Sequence, residues 1–221
     1  MTARFCDETE WGFGWVLEEG LERCSHALLA EGRVWAVDPV DAPGLEERIR
    51  GLGEPAGVIQ LLDRHGRDSA ALAARLRVPR FETPYQGIPG APFEPILVAR
   101  RPWWREIALW WPQERVLVCA DALGTARYYR AGDERLAVHP LLRLTPPRLA
   151  RFAPRHVLCG HGEGVHGDEA TPALVEALAT ARRRFPAVAL NLVRRPPGAR
   201  ISASSWASST SYGDGGPKGD A

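Results

Sequence analysis

Asp121 and His161 each close a short apolar run, Val116-Leu117-Val118-Cys119-Ala120-Asp121 and Leu158-Cys159-Gly160-His161-Gly162. Runs of this kind read as buried strands that end by presenting one polar side chain at a sheet edge. A third segment has the same form: Gln60-Leu61-Leu62-Asp63-Arg64-His65-Gly66-Arg67-Asp68-Ser69 passes from an apolar strand through a polar turn to a helix start. Aspartate and histidine are donors for a divalent cation, and several strand ends must contribute because one strand cannot surround an ion.

The elements that must position these residues alternate between two periods. Strands are expected over residues 11–18, 25–29 and 34–38, the last two forming a hairpin around a Glu-Gly turn. A helix follows over 45–51, with Glu46 and Glu47 in its first turn and Arg48 and Arg50 later, as the helix dipole favours. Residues 58–62 read as a buried strand and 69–76 as a helix, with Asp68 or Ser69 as its N-cap. Further strands fall at 95–99, 106–111, 115–119 and 156–159, with a short helix at 146–152 and a stretch at 126–129 that reads as either helical or irregular. Residues 171–185 carry the clearest helical pattern, with Leu174, Leu178 and Ala181 on one face and Pro172 in the first turn. Strands and helices mixed throughout predict sheets covered by helices.

Composition bounds the rest. The chain has 221 residues, 45% hydrophobic and 25% charged, and a formal net charge of +1. That balance gives no electrostatic case for a nucleic-acid or membrane partner. No stretch is long and apolar enough to span a bilayer, and the first ten residues do not form a secretory signal. Cys6, Cys24, Cys119 and Cys159 are scattered without a C-x-x-C pair, which reads as reduced thiols in a cytoplasmic protein. Residues 1–193 are expected to form one folded domain. Residues 194–221, rich in Pro, Gly and Ser, are expected to be a disordered tail in which Trp206 is a stray aromatic. No dinucleotide fingerprint, Walker loop or nucleophile elbow is present.

Taken together, residues 28–38, 60–69, 107–123 and 158–167 resemble the metallo-β-lactamase fold superfamily in kind and order. They correspond to the opening hairpin, the strand and turn bearing H-x-H-x-D-H, the hairpin leading to the bridging aspartate, and the closing Gly-His-Gly segment. The resemblance implies an α/β (α+β) domain, a four-layer αββα sandwich with metals at the sheet edges between its halves. It also implies hydrolysis by metal-activated water. Residue by residue, Asp68 matches the motif's aspartate, Asp121 the bridging aspartate and His161 the last histidine. Arg64, Gly66 and Ser69 stand at the motif's histidines, so most ligands of a two-metal site are missing.

Two functions follow. In the first, Arg64 and Arg67 replace the lost positive charge by pairing with Asp68 or Asp121, no cofactor is bound, and the domain serves as a binding or scaffold module for a protein or small-molecule partner. In the alternative, Asp68, Asp121 and His161 hold one zinc or other divalent ion, and the protein hydrolyses an ester or thioester. His65 lies between Arg64 and Gly66, the motif's first two ligand positions, so strand alternation turns it away from the metal side, towards a packing role. A register one residue different would place it at a ligand position. His166, five residues beyond His161, is expected in a solvated loop or at the rim of the same cleft. His139 reads as a loop residue, and Trp103, Trp104, Trp110 and Trp111 as core filling plus a covering loop.

Overall fold

The structure, a computed structural model, describes residues 2–194. Six strands build the first sheet in chain order: β1 (Ala3–Thr9), β2 (Gly12–Leu17), β3 (Cys24–Ala30), β4 (Arg33–Val37), β5 (Glu54–Gln60) and β6 (Arg80–Glu82). The first four form an antiparallel meander. β5 and β6 join in parallel, which requires a crossover before each. The crossovers are the helices α1 (Leu45–Leu52) and α2 (Ser69–Leu76).

The period-two pattern of the strands divides the core. Phe13, Trp15 and Leu17 of β2, with Val34, Ala36 and Val58, meet Leu45, Ile49, Leu72 and Leu76 of the two helices. The alternate residues Leu28, Trp35, Val37 and Ile59 face the other way and pack against the second sheet. Trp15 is fully buried, and its indole N–H donates to the Val40 carbonyl at 2.9 Å, so its one polar group is satisfied.

The second half supplies β7 (Glu94–Arg101), β8 (Trp104–Trp111) and β9 (Val116–Cys119), a small ribbon of β10 (Leu123–Gly124) with β11 (Ala137–Val138), then β12 (His156–Cys159) and β13 (Val165–His166). The main second sheet runs β13-β12-β9-β8-β7, with β12 parallel to β9. Helix α3 (Ala170–Arg194) lays Ala173, Leu174, Ala177 and Ala181 onto the core on this side. Helices, sheet, sheet and helix make a four-layer αββα sandwich of the α+β class, as the resemblance implied.

Three elements depart from expectation. β1 was not foreseen because Cys6 alone is buried along this edge strand, leaving no apolar alternation to read. Residues 146–152 form turns, not a helix; Pro146 and Pro147 remove two backbone donors, and only Leu149 to Pro147 and Phe152 to Leu149 close. Helix α3 continues through Pro186, where the sequence predicted a stop, and buries Val188 beyond it. It therefore includes Arg194, the first residue assigned to the tail. The rest of that segment, with Trp206, lies outside the described residues. No helix among the described residues is long and apolar enough to cross a membrane.

Candidate metal centre

Two isolated bridges join the sheets beside the candidate centre, Arg23 to His161 and Leu62 to Glu106. Asp121 follows β9 and His161 follows β12, its parallel neighbour, so their side chains emerge side by side. The His161 turn depends on its glycines. Gly162 has φ +81°, and a Cβ there would lie 2.2 Å from the Thr125 hydroxyl; one on Gly160 would lie 2.6 Å from the Ala120 carbonyl oxygen.

The third member of the cluster is His65. Its Nε2 lies 2.9 Å from Asp121 Oδ1, and His161 Nε2 lies 3.2 Å from the same oxygen. All three residues are buried, and their donor atoms lie within 4.8 Å of one another. Alternation predicted His65 to face away, but alternation holds only inside a strand. β5 ends at Gln60, and the His65 N–H closes a turn onto the Leu62 carbonyl at 2.9 Å. That turn swings the imidazole back under Asp121.

Asp68 does not join them. It is exposed, and its Oδ2 accepts the Asp41 N–H at 2.7 Å beside the start of α2. Its side chain makes no hydrogen bond to its own helix, although it occupies the N-cap position. The two arginines are placed differently from the charge-replacement expectation. Arg67, held at φ +39°, donates to the carbonyls of Cys24, Asp38 and Gly160 at 2.6, 2.9 and 2.9 Å, and so pins β3, β4 and β12 together. Arg64 is half-exposed, stacked over Trp104 with its carbon 4.2 Å from the ring centre. Its Nη1 donates to the Trp103 carbonyl, and its Nε lies 3.8 Å from Asp121 Oδ2, a single loose contact with no bidentate pairing. His166 Nε2 lies 2.9 Å from Asp7 Oδ1 and its Nδ1 2.9 Å from His156 Nδ1, so its ring is engaged away from the triad.

The hydrogen bonds behind the cluster decide what it can do. His65 Nδ1 lies 2.9 Å from Asp38 Oδ2, whose partner Oδ1 accepts the Leu61 N–H. His161 Nδ1 lies 2.7 Å from the Leu21 carbonyl. A carboxylate and a carbonyl can only accept, so both Nδ1 atoms carry the proton. In their neutral forms, both imidazoles therefore aim an Nε2 lone pair at Asp121 Oδ1, a buried atom without a hydrogen-bond donor. Three lone pairs converging in a buried site repel unless a positive charge sits among them, either protons on the rings or a cation between them. With ligand bonds of about 2.0 Å, tetrahedral nitrogen and oxygen donors lie about 3.3 Å apart. The two distances to Asp121 Oδ1 are close to that edge. Two histidines and one carboxylate, oriented from behind by Asp38 and the Leu21 carbonyl, thus fit a single divalent ion with open positions. They do not supply ligands for two.

Ionisation is tuned in the same direction. Burial pushes the Asp121 carboxyl up, but its contacts with His161 and His65 outweigh this and hold it well below the usual range. Burial and Arg67 push His65 down, while Asp38 and Asp121 prevail and raise it. Glu106 lies behind the cluster, accepting from the Trp104 indole at 2.7 Å and the Ala122 N–H at 2.9 Å. Its burial, with Asp121 nearby, lifts its pKa to about 8. His139 packs edge-on against Trp104 and Tyr129, and burial lowers it to about 4. Glu106, Asp38 and His139 were not singled out as site residues from the sequence. The only signal was polar residues set within strongly apolar segments.

Four layers with ligand-type residues where two mixed sheets meet constitute the metallo-β-lactamase fold. No family model matches the chain, and no curated protein does. Solved structures do. The chain is similar to the DIM-1 metallo-β-lactamase, at 13% identity and a TM-score of 0.53 over 82% of this chain and 98% of that one. FIM-1 from Pseudomonas aeruginosa, in its mono-zinc form, aligns at 12% identity and 0.52 over 82% and 97%. A fragment of diflavin flavoprotein A 5 from Nostoc sp. PCC 7120 aligns at 13% and 0.57 over 86% and 98%. Likeness at this level of identity defines the fold, and the site must be argued from its own residues.

Proposed function

We propose that the chain is a single-metal hydrolase whose ion is held by His65, Asp121 and His161. One observation carries this reading: two buried imidazoles, each committed at Nδ1 as a donor, face the same carboxylate oxygen with their other nitrogen. Three protein ligands with an open position are the usual complement of a catalytic zinc. The mono-zinc form of a protein of this fold is consistent with one ion sufficing for occupancy. A bound divalent ion supplies Lewis acidity towards a substrate carbonyl or phosphoryl oxygen and towards water.

The chain's own residues prepare that chemistry. Asp38 and the Leu21 carbonyl fix the tautomers of the two ligand rings. Glu106, whose burial beside Asp121 favours the protonated form, holds the Ala122 backbone and the Trp104 ring. Arg64, stacked on Trp104 and half-exposed beside Asp121, offers its guanidinium to the carbonyl oxygen of an ester or thioester substrate.

The metal-free binding module remains a second reading with its own support, because protonated imidazoles satisfy the same geometry and His65 is tuned towards protonation. Metal analysis of protein prepared without chelator, paired with ester and thioester turnover, separates the two. The hydrolase predicts one ion bound by this triad per chain, lost together with turnover in Asp121→Ala. No binding at this triad and no turnover, in folded protein supplied with zinc, overturns it.

A further inference from the structure

A second group of metal-type donors lies in the first sheet and shares no residue with the first. In the first sheet Cys6 of β1 stands opposite Gly14 of β2, and Gly14 stands opposite His26 of β3. Cys24 lies two residues before His26 and therefore shares its face. The register slips between Cys6 and Thr9, and Asp7 adopts φ +50°. This bulge turns a carboxylate that strict alternation would send to the opposite face back towards Cys6. Cys6 Sγ is 3.9 Å from Cys24 Sγ and 3.7 Å from Asp7 Oδ2, and His26 Nδ1 is 3.9 Å from Asp7 Oδ2.

Two further observations point to an occupant. His26 is 2% exposed, and its Nε2 lies 3.0 Å from the Cys159 carbonyl, so that nitrogen carries the proton. Nδ1 is left as a buried lone pair that makes no hydrogen bond, and it points into the cluster. Gly14 supplies the room. A Cβ there would lie 2.9 Å from Asp7 Oδ2, 3.1 Å from His26 Nδ1 and 3.2 Å from Cys6 Sγ, so three donors surround the space that a side chain would fill. Asp7 is itself held from behind by the Gly164 N–H and by His166 Nε2, each 2.9 Å from Oδ1. Ligand rings and carboxylates fixed by outer hydrogen bonds are the usual surroundings of a metal.

We propose that Cys6, Asp7, Cys24 and His26 form a closed, structural site for a thiophilic divalent cation of the zinc class. With bonds of about 2.3 Å to sulfur and about 2.0 Å to nitrogen and oxygen, tetrahedral edges are about 3.8 Å for S···S, 3.5 Å for S···O and 3.3 Å for N···O. Of the three measured separations, S···S and S···O need to contract by about 0.1 and 0.2 Å and N···O by about 0.6 Å; the donor atoms of Cys6, Asp7 and Cys24 already lie within 4.8 Å of one another, and His26 Nδ1 moves in to join them. A disulfide fits less well. Two strand spacings put the Cys6 and Cys24 Cα atoms about 9.5 Å apart, beyond the roughly 7 Å that a disulfide bridges. Loading forms two metal–sulfur bonds, releases both thiol protons to solvent and changes no oxidation state. The occupied site ties edge strand β1 to β3 and, through Asp7, to the segment that follows His161.

Cobalt(II) titration of the full, chelator-stripped chain under reducing conditions tests this independently of the first centre. Only thiolate ligands give cobalt a near-ultraviolet charge-transfer band; imidazole and carboxylate do not. The band is expected in the wild type, saturating at one ion per chain, and is expected to persist in Asp121→Ala. It is expected to vanish in Cys24→Ala and in Gly14→Ala, whose methyl fills the cradle. If those variants do not fold, the wild type and Asp121→Ala still decide. A folded wild-type chain that takes up cobalt without the band, or takes up none, overturns the proposal. A band that survives Cys24→Ala does so as well.

Discussion

At the residue scale the chain turns on the difference between Asp68 and His65, three positions apart in one polar turn. Matching motif letters favoured Asp68, because an aspartate stood where the family motif has one. The structure puts that carboxylate on the surface and brings His65 to Asp121. His65→Ala removes one of three donors and is expected to lower metal affinity at the first centre by well over 100-fold, whereas Asp68→Ala is expected to leave it within about twofold. Asp38→Asn, which weakens the bond fixing the His65 tautomer, falls between them at about 10–100-fold, the usual cost of losing an outer hydrogen bond to a ligand. Isothermal titration with zinc, in chains also carrying Cys24→Ala to silence the thiol cluster, reads all three. An Asp68→Ala effect as large as that of His65→Ala would contradict the assignment. Asp121 and His161 were legible in sequence because each ends a clean apolar run. His65 was not, because its direction is set by a turn that begins two residues after the strand stops.

At the element scale, regular periodicity was readable and irregular backbone was not. Helix α2 and strand β12 fall where the pattern predicts, since their apolar residues repeat at the helical and strand periods. The bulged edge strand β1, the Leu62–His65 turn and the non-helical 146–152 segment carry no such repeat, and both candidate sites draw on that kind of backbone. Asp7, Asp38 and Arg67 all lie in the left-handed region, sparsely occupied by non-glycine residues, so strain collects where ligands are aimed. Arg67 offsets part of that cost by joining three strand ends through their carbonyls. Arg67→Met keeps the side-chain stem but removes the fork and is expected to cost about 2–3 kcal/mol, the range for hydrogen bonds to a charged group. Arg67→Lys is expected to recover only part of this, because one ammonium cannot reproduce the planar fork. Urea unfolding measures both, and a loss under about 0.5 kcal/mol for Arg67→Met would show that the strand ends hold without it. A second device is the fully buried Arg143, which makes two bonds to Glu134 at 3.0 and 2.7 Å and a third to the Tyr129 carbonyl. It fixes the loop that carries Tyr129 beneath Asp121. Glu134→Ala strands the guanidinium and is expected to cost about 3–5 kcal/mol, read by the same unfolding experiment.

At the scale of the whole molecule, the first centre makes stability depend on pH in a way that reveals whether protons or a metal occupy it. Three groups of this centre and three histidines set the sign in the metal-free protein. Burial lowers His139 to about 4 and also lowers His26 and His156, so these histidines add stability as pH rises to about 6.5 and nothing further above it. His65 is raised on folding, so its contribution is complete below the unfolded value of about 6.5 and is lost as pH rises through its folded pKa. Glu106 is raised from about 4.3 in the unfolded chain to about 8, so the unfolded state ionises first and stability declines across that interval. Asp121 is depressed, so its contribution is present above about 3.9 and is lost only as pH falls below it. Above about pH 7 Asp121 and the three lowered histidines are constant, and His65 and Glu106 act together. Chelated protein should therefore melt at a higher temperature near pH 7 than near pH 8.5. Zinc reverses the slope, because it binds His65 and His161 only after their Nε2 protons leave, and a ligand that binds the folded state stabilises it in proportion to its affinity. Melting temperature measured at both pH values, with zinc and with chelator, should show the two curves crossing. The comparison is made in Cys24→Ala to remove the thiol cluster's contribution. A chelated protein that is more stable at pH 8.5 would mean that His65 and Glu106 are not tuned by their surroundings as described. Parallel curves would mean that zinc does not compete with protons for this triad, and the hydrolase reading would fall with it.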